Sequence, residues 1–347
     1  MLYVTTRSKH DVYTAHVTLR QDRGPDGGCF LPFRMPFFEK DEILALKGRS
    51  FGQNVADILD LFFSAKLTAW DVEMVVGRTP IKLRSMNYRV IVAELWNQMD
   101  QTFRELIRGL SEKLHPDHDL IGDPSEWSEM AVRIAVLFGV YGELLKAGHT
   151  GPDVALNVAF SAGSFSGPMS AWYARQMGLP IDTVICGCNE NGGLWELLHR
   201  GELECGAVAL TTDTPESDHA VPPQLERLIH GACGHEEVQH FYWCCTEGAV
   251  YAPAEEAYDD LRRGMFAAVI SKGRVETIIP SVYRTSRYIL DPYAALAYGA
   301  LTDHRSRTGN STTTLLLSEH SPISQRERML KIMHISSEEL RKRISEV

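Results

Sequence analysis

Residues Val154–Pro180 read V-A-L-N-V-A-F-S-A-G-S-F-S-G-P-M-S-A-W-Y-A-R-Q-M-G-L-P. Val154–Phe160 is an apolar run of strand length, Met169–Met177 has the composition of a helix, and Thr183–Cys188 is a second buried-type strand. Strand, loop, helix and strand in that order predict parallel pairing through a right-handed crossover. The A-G-S-F-S-G loop between the first strand and the helix points several backbone N–H groups and a helix N-terminus at one spot. That arrangement favours a phosphate or carboxylate, and its glycines permit close backbone approach. Gly163, Ser164, Phe165, Ser166 and Gly167 are therefore candidate anion-binding residues. The competing reading is a tight turn that the fold needs for its own sake.

Outward from this unit the pattern stays α/β. Trp127–Leu145 is an almost wholly apolar helix, which predicts burial between layers. Arg89–Leu95 (R-V-I-V-A-E-L) is a short strand. Asp41–Leu46 is helical, and Phe51–Phe63 sets Val55, Ile58, Leu59 and Phe62 on one helix face. Downstream, Leu194–His199, Gln224–His230 and Glu236–Trp243 read as helices. Pro280–Tyr288, with proline in its first turn, and Ala294–His304 flank a D-P turn. Thr312–Leu317 is a late core strand, and two helices close the chain, the last with a capping box from Ser336 and Glu339. The expected architecture is a parallel sheet with flanking helices over residues 91–347, preceded by a separate strand-and-helix domain over residues 1–90.

Composition narrows the function. The 347 residues suffice for a large core, and 44% hydrophobic with 23% charged content is ordinary for a globular protein. A net charge of −10 without a basic face argues against a nucleic-acid partner. No apolar run reaches the ~18 residues of a membrane span, and no signal-peptide pattern opens the chain, so a cytoplasmic location is expected. The seven cysteines lack C-x-x-C spacing, and H-E-E-V-Q-H over His235–His240 misses the spacing of H-E-x-x-H, so free thiols and surface histidines are expected and no metal.

A run of ordered motifs carries a resemblance. Tyr3–Arg7 is Y-V-T-T-R, Pro25–Pro32 is P-D-G-G-C-F-L-P, Pro222–Leu228 is P-P-Q-L-E-R-L, Tyr288–Leu296 is Y-I-L-D-P-Y-A-A-L and Ser318–His320 is S-E-H. With the glycine-loop segment and N-E-N at Asn189–Asn191, these resemble, in the same order, the motifs of the threonine synthase family, whose members use pyridoxal phosphate (PLP). The resemblance implies the large domain of that fold, similar to the tryptophan synthase β-like PLP fold, after a threonine-synthase-type N-terminal domain. It further implies that residues 163–167 match the cofactor phosphate loop, and that Ser318 matches the threonine that hydrogen-bonds the pyridine nitrogen. Ser318 reads alternatively as a strand-end residue capping the segment Ser321–Leu330.

Two departures cut against the family chemistry. Ala93–Glu105, A-E-L-W-N-Q-M-D-Q-T-F-R-E, resembles the segment L-E-L-F-H-G-P-T-L-A-F-K-D, placing Arg104 where relatives have the Schiff-base lysine. A guanidinium, with a pKa above ~12, cannot supply the neutral amine that an imine requires. Lys113, nine residues on, falls about 180° round the helix, and Lys82, Lys146 and Lys272 have no counterpart role. Arg104 is expected to pair with Asp100 or Glu94, or to clamp a small anion. Secondly, the family's T-S-G-D-T-G segment is absent and Pro116–Pro124 stands where relatives carry most of a small domain. The resulting expectation is a threonine synthase-like pseudoenzyme with no cofactor, binding a small anion or phosphorylated metabolite or serving as a partner module. Apolar surface exposed by the lost domain suggests a homo-oligomer. The alternative, implied by the overall resemblance, is an active lyase converting phosphohomoserine to threonine.

Overall fold

A computed structural model describes residues 1–76, 81–96, 103–115 and 123–345. Three strands, β1 (Leu2–Thr5), β2 (Tyr13–Thr14) and β3 (Phe30–Pro32), form an antiparallel sheet in the order β2-β1-β3. The main sheet has six strands: β4 (Lys82–Met86), β5 (Val90–Glu94), β6 (Leu156–Ser161), β7 (Ile181–Cys188), β10 (Met265–Val269) and β11 (Thr314–Ser318). A short antiparallel ribbon of β8 (Leu203–Glu204) and β9 (Val250–Tyr251) lies apart from it. The order is β10-β7-β6-β11-β5-β4, parallel throughout except for β4, which runs antiparallel along the edge. The chain is thus α/β as expected, with a mixed rather than a purely parallel sheet. β4 precedes residue 90, yet it pairs with β5 in the same sheet.

Alternation along the strands divides the interior into two cores. Ile91, Ala93, Val158, Phe160, Val184, Leu315 and Leu317 face one side, and Val90, Val92, Ala159, Ile185 and Leu316 face the other. The first side is covered by the helices Glu126–Lys146 and Ser166–Gln176 and by the N-terminal elements. The second is covered by Lys272–Ser286, Pro292–Thr308 and Arg326–Met333.

The helix Glu126–Lys146 is buried almost all round because it lies between the sheet side and the helix Phe51–Phe63. Ser50 caps that second helix by accepting from Gln53 N at 3.1 Å. The two approach closely at Gly139, where a Cβ would lie 2.6 Å from the Phe51 ring. Trp127, fully buried, stands edge-on to Tyr3, Phe62 and Tyr173 at ring distances of 5.7, 5.5 and 6.1 Å. One indole thereby joins the N-terminal sheet, the Phe51–Phe63 helix and the helix after the glycine loop.

Most of the expected elements stand, with boundary shifts of a few residues. One does not begin where expected. Pro280 is not in a first turn: the helix starts at Lys272 and runs to Ser286 with Pro280 in its interior. Its N-cap is Ser271, whose hydroxyl accepts from Arg274 N at 3.4 Å, and this cap sets the start upstream of the proline. The capping box at Ser336 is half formed. Glu339 N donates to Ser336 Oγ at 3.2 Å, but the Glu339 carboxylate turns to Arg343 instead of back to the cap.

A buried ion network ties the N-terminal segment to the α/β body. Arg7 donates twice to Glu226, at 3.0 and 2.7 Å, and Thr6 Oγ1 donates to the same carboxylate. Arg23 bridges Glu126 at 3.1 Å and Glu226 at 3.6 Å. Arg227, with no exposed surface, donates to Gln224 Oε1 at 2.6 Å and to the Phe30 carbonyl, and its third nitrogen lies 3.6 Å from Glu126. Gln224, Glu226 and Arg227 thus read as a clamp on the N-terminal sheet. Removing one member of a buried ion network strands its partners, at a cost of about 3–5 kcal/mol. Arg227→Ala is expected to lose that much unfolding free energy in urea titration, and Arg227→Lys a substantial part of it, because an ammonium cannot reproduce the fork. A change below ~1 kcal/mol in both variants would show that the clamp is dispensable.

Candidate functional site

The parallel strands β6 and β11 end at one cleft of about 300 Å³, where β6 passes into the glycine loop and β11 into Glu319 and His320. Clefts at the carboxyl ends of parallel strands are where α/β sheets carry ligands. The helix Phe103–Leu114 forms the opposite wall through Phe103, Arg104 and Ile107.

The glycine loop is a tight turn. Gly163 and Phe165 both take positive φ, +50° and 73°, and the Phe165 ring is buried below the loop. A phenylalanine with positive φ is uncommon and held by its surroundings. Phe165 N donates to Ala162 O at 2.8 Å. The two hydroxyls expected to receive an anion, Ser164 and Ser166, lie 2.9 Å apart and bond each other. Gly163, Ser164, Ser166 and Gly167 line the cleft; Phe165 does not.

Ser318 lies underneath, buried at the end of β11. Its oxygen accepts from Trp96 Nε1 at 3.1 Å and lies 3.2 Å from Asp291 Oδ2, to which it donates. Asp291 is the N-cap of the helix Pro292–Thr308, accepting from Tyr293 N at 2.8 Å and Ala294 N at 3.2 Å. Burial raises its pKa, with His320 and the capping amides working against the rise. Ser318 does not cap the segment after it; that hydroxyl is Ser321, which accepts from Ile323 N at 3.2 Å.

Arg104 stands at the cleft mouth with its side chain 75% exposed, and its partner is Asp123 at 3.4 Å. The expected partner Glu94 is buried under β4 and lies 3.7 Å from Arg84, out of use for Arg104. Asp100, the other expected partner, is outside the described residues, as is the stretch Pro116–Gly122. Among the described residues no lysine lines the cleft.

The cleft holds several charged groups beyond the expected site residues, among them His320, which from the sequence reads as a structural histidine rather than a base. Arg133, on the Glu126–Lys146 helix, is bound by Glu129 at 2.9 Å and by Glu319 at 2.6 Å, and lies over the Phe103 ring at 4.9 Å. Burial opposes its charge, but the two carboxylates hold its pKa above the usual arginine value. Glu319 lies close to the loop: its Oε1 would be 3.5 Å from a Cβ on Gly167. His320 stacks on Tyr293 at 4.4 Å and lies 3.2 Å from Glu216 Oε2. Glu216 arrives on the segment after Thr212, which Asn189 ties down through Thr214 Oγ1 at 3.0 Å and Asp218 Oδ1 at 2.7 Å. The N-E-N motif thus positions one wall of the cleft. Glu129 and Arg133 did carry a sequence signal, an i,i+4 acid–base pair on an apolar helix, whereas Glu319 and Glu216 had none.

The result is a cleft whose cations are paired from within: Arg104 with Asp123, Arg133 with Glu129 and Glu319, and His320 with Glu216. Among the described residues no group of three His, Cys, Asp or Glu side chains is placed to hold a metal ion, and no helix is long and apolar enough to cross a membrane.

Residues 2–79 match the family model described as threonine synthase N terminus. The proteins named Threonine synthase-like 1 of Pongo abelii and Homo sapiens are each 27% identical over 174 residues, 49% of this chain and 23% of theirs. The match thus spans about a quarter of those relatives' length. Among solved structures, the PLP-bound threonine synthase from Brucella melitensis superposes with a TM-score of 0.84 at 17% identity, covering 99% of this chain and 94% of that one. At that identity the superposition establishes the fold.

Burial works to keep His320 neutral, but its hydrogen bond to Glu216 and the nearby carboxylates of Asp291 and Glu319 prevail and raise its pKa to about 9. The folded value lies above the unfolded one of about 6.5. The pairing therefore stabilises fully below about pH 6.5 and is lost as pH rises through about 9. The His320 imidazole is expected to titrate by NMR near pH 9, and lower in Glu216→Gln. A midpoint near 6.5 in both would show that the contact does not hold in solution.

Proposed function

From the membership of this chain in the threonine synthase family, we propose that it is a pseudoenzyme of that family: the fold kept, the covalent PLP chemistry lost, and the protein acting as a binding or partner module. The single observation that carries this reading is Arg104. The resemblance of Ala93–Glu105 to the family segment sets it where relatives have the Schiff-base lysine; it stays charged at every physiological pH and is engaged with Asp123 at the cleft mouth.

The residues present do not fit PLP. A covalently held aldehyde cofactor needs a neutral amine within reach, and no lysine lines the described cleft. Its phosphate needs an open cradle of donors, while Ser164 and Ser166 are bonded to each other and the Glu319 carboxylate stands over Gly167. Its pyridine nitrogen needs a hydroxyl free to donate, while the Ser318 proton is directed at Asp291 beneath the cleft. The absence of the T-S-G-D-T-G segment that the resemblance leads one to expect supports the same reading.

Purified protein incubated with pyridoxal phosphate and reduced with borohydride is expected to yield no single-site adduct on peptide mapping. A stoichiometric adduct at one lysine would overturn the reading and restore the alternative of an active lyase.

A further inference from the structure

We propose that the Glu319 carboxylate is the resident anion of this cleft, held by Arg133 at the N-terminus of the Ser166–Gln176 helix, where it excludes free oxyanions. The inference rests on the reading of the cleft as one without PLP chemistry and says what stands there instead.

Glu319 is the first residue after β11, and its backbone carbonyl accepts from Phe103 N at 3.3 Å, so the residue is pinned between the strand and the opposite wall. Its side chain meets Arg133 at 2.6 Å, and Arg133, itself largely buried, has few other places to turn. The guanidinium is flanked by the Phe103 ring and shared with Glu129 at 2.9 Å. The Glu319 Oε1 atom lies within 3.5 Å of the Cβ position of Gly167, the second residue of the helix that follows the loop. A negative group there interacts favourably with the positive helix end. The buried guanidinium that would recruit a free phosphate is taken by a side chain of the chain itself, whose charge also stands beside the helix N-terminus.

An incoming dianion would meet repulsion as well as lost partners. Glu129, Glu216 and Asp123 line the same space, each already assigned to Arg133, His320 or Arg104. Glu319 is the carboxylate set directly at the loop, so it is the residue on which the exclusion depends. Glu319→Ala removes the anion and its volume, and Glu319→Gln removes the charge while keeping the volume. Each leaves Arg133 with one carboxylate instead of two.

The test is calorimetric titration of inorganic phosphate into the wild-type chain and both variants, in one chloride buffer, with circular dichroism confirming the fold. Both variants are expected to bind phosphate at least about tenfold more tightly than the wild type, a difference of ~1.4 kcal/mol. Affinities that agree within about twofold, ~0.4 kcal/mol, would overturn the assignment. Should both variants fail to fold, the wild-type chain decides alone. Millimolar phosphate is expected to leave its thermal midpoint where chloride of equal ionic strength leaves it, and a saturable upward shift would show that the cradle is open. Phosphate forms no imine, so a borohydride-trapped adduct would strike the pseudoenzyme reading without touching this comparison, and equal phosphate affinities would strike this one without touching that.

Discussion

Arg227 has no contact with solvent, and the arrangement of the first thirty or so residues depends on what surrounds it. A fully buried guanidinium needs acceptors and opposite charge around it. Gln224 and the Phe30 carbonyl accept from two of its nitrogens, the Glu126 carboxylate 3.6 Å from the third answers its charge, and Glu226 next to it gathers Thr6, Arg7 and Arg23. The N-terminal sheet is consequently attached to the α/β body by charge as well as by the aromatic contacts of Trp127. Because Glu126 and Trp127 open the helix that also carries Arg133, the clamp and the cleft share one rigid element.

The same economy of charge governs the cleft. An open anion site offers donors aimed at empty space; here the cationic side chains are aimed at carboxylates of the chain. Arg133 takes Glu129 and Glu319, His320 takes Glu216, and even the exposed Arg104 takes Asp123. The exposed pair contributes little to stability. The other pairs join three separate elements: the helix Glu126–Lys146, the end of β11 and the segment carrying Glu216. The cleft is thereby tied into the structure by its own charges.

Much of the fold was legible because it rests on period and punctuation. The short apolar runs of β5, β6 and β11 and the one-sided stripe of Phe51–Phe63 correspond to the two-sided burial of the sheet and the packed helix. Where local signals competed, reading along the chain went astray. Pro280 suggested a helix start, but Ser271 caps the helix and the proline is carried in the interior. The antiparallel course of β4 had no local signature, since direction in a sheet is decided by how the chain returns to it.

By itself the sequence determined the α/β class, the strand–loop–helix unit around Gly163–Gly167 and the presence of a permanent cation at position 104, because these follow from side-chain period and chemistry that no environment alters. Only the tertiary structure decided what those residues touch. Ser318 reads as a ligand until Asp291, twenty-seven positions upstream, is found at its hydroxyl. Glu319 reads as an ordinary charged residue until Arg133, one hundred and eighty-six positions away, is found at its carboxylate. Charge pairing acts through space over a few ångströms and is indifferent to separation along the chain, so its partners become known only once the chain is folded.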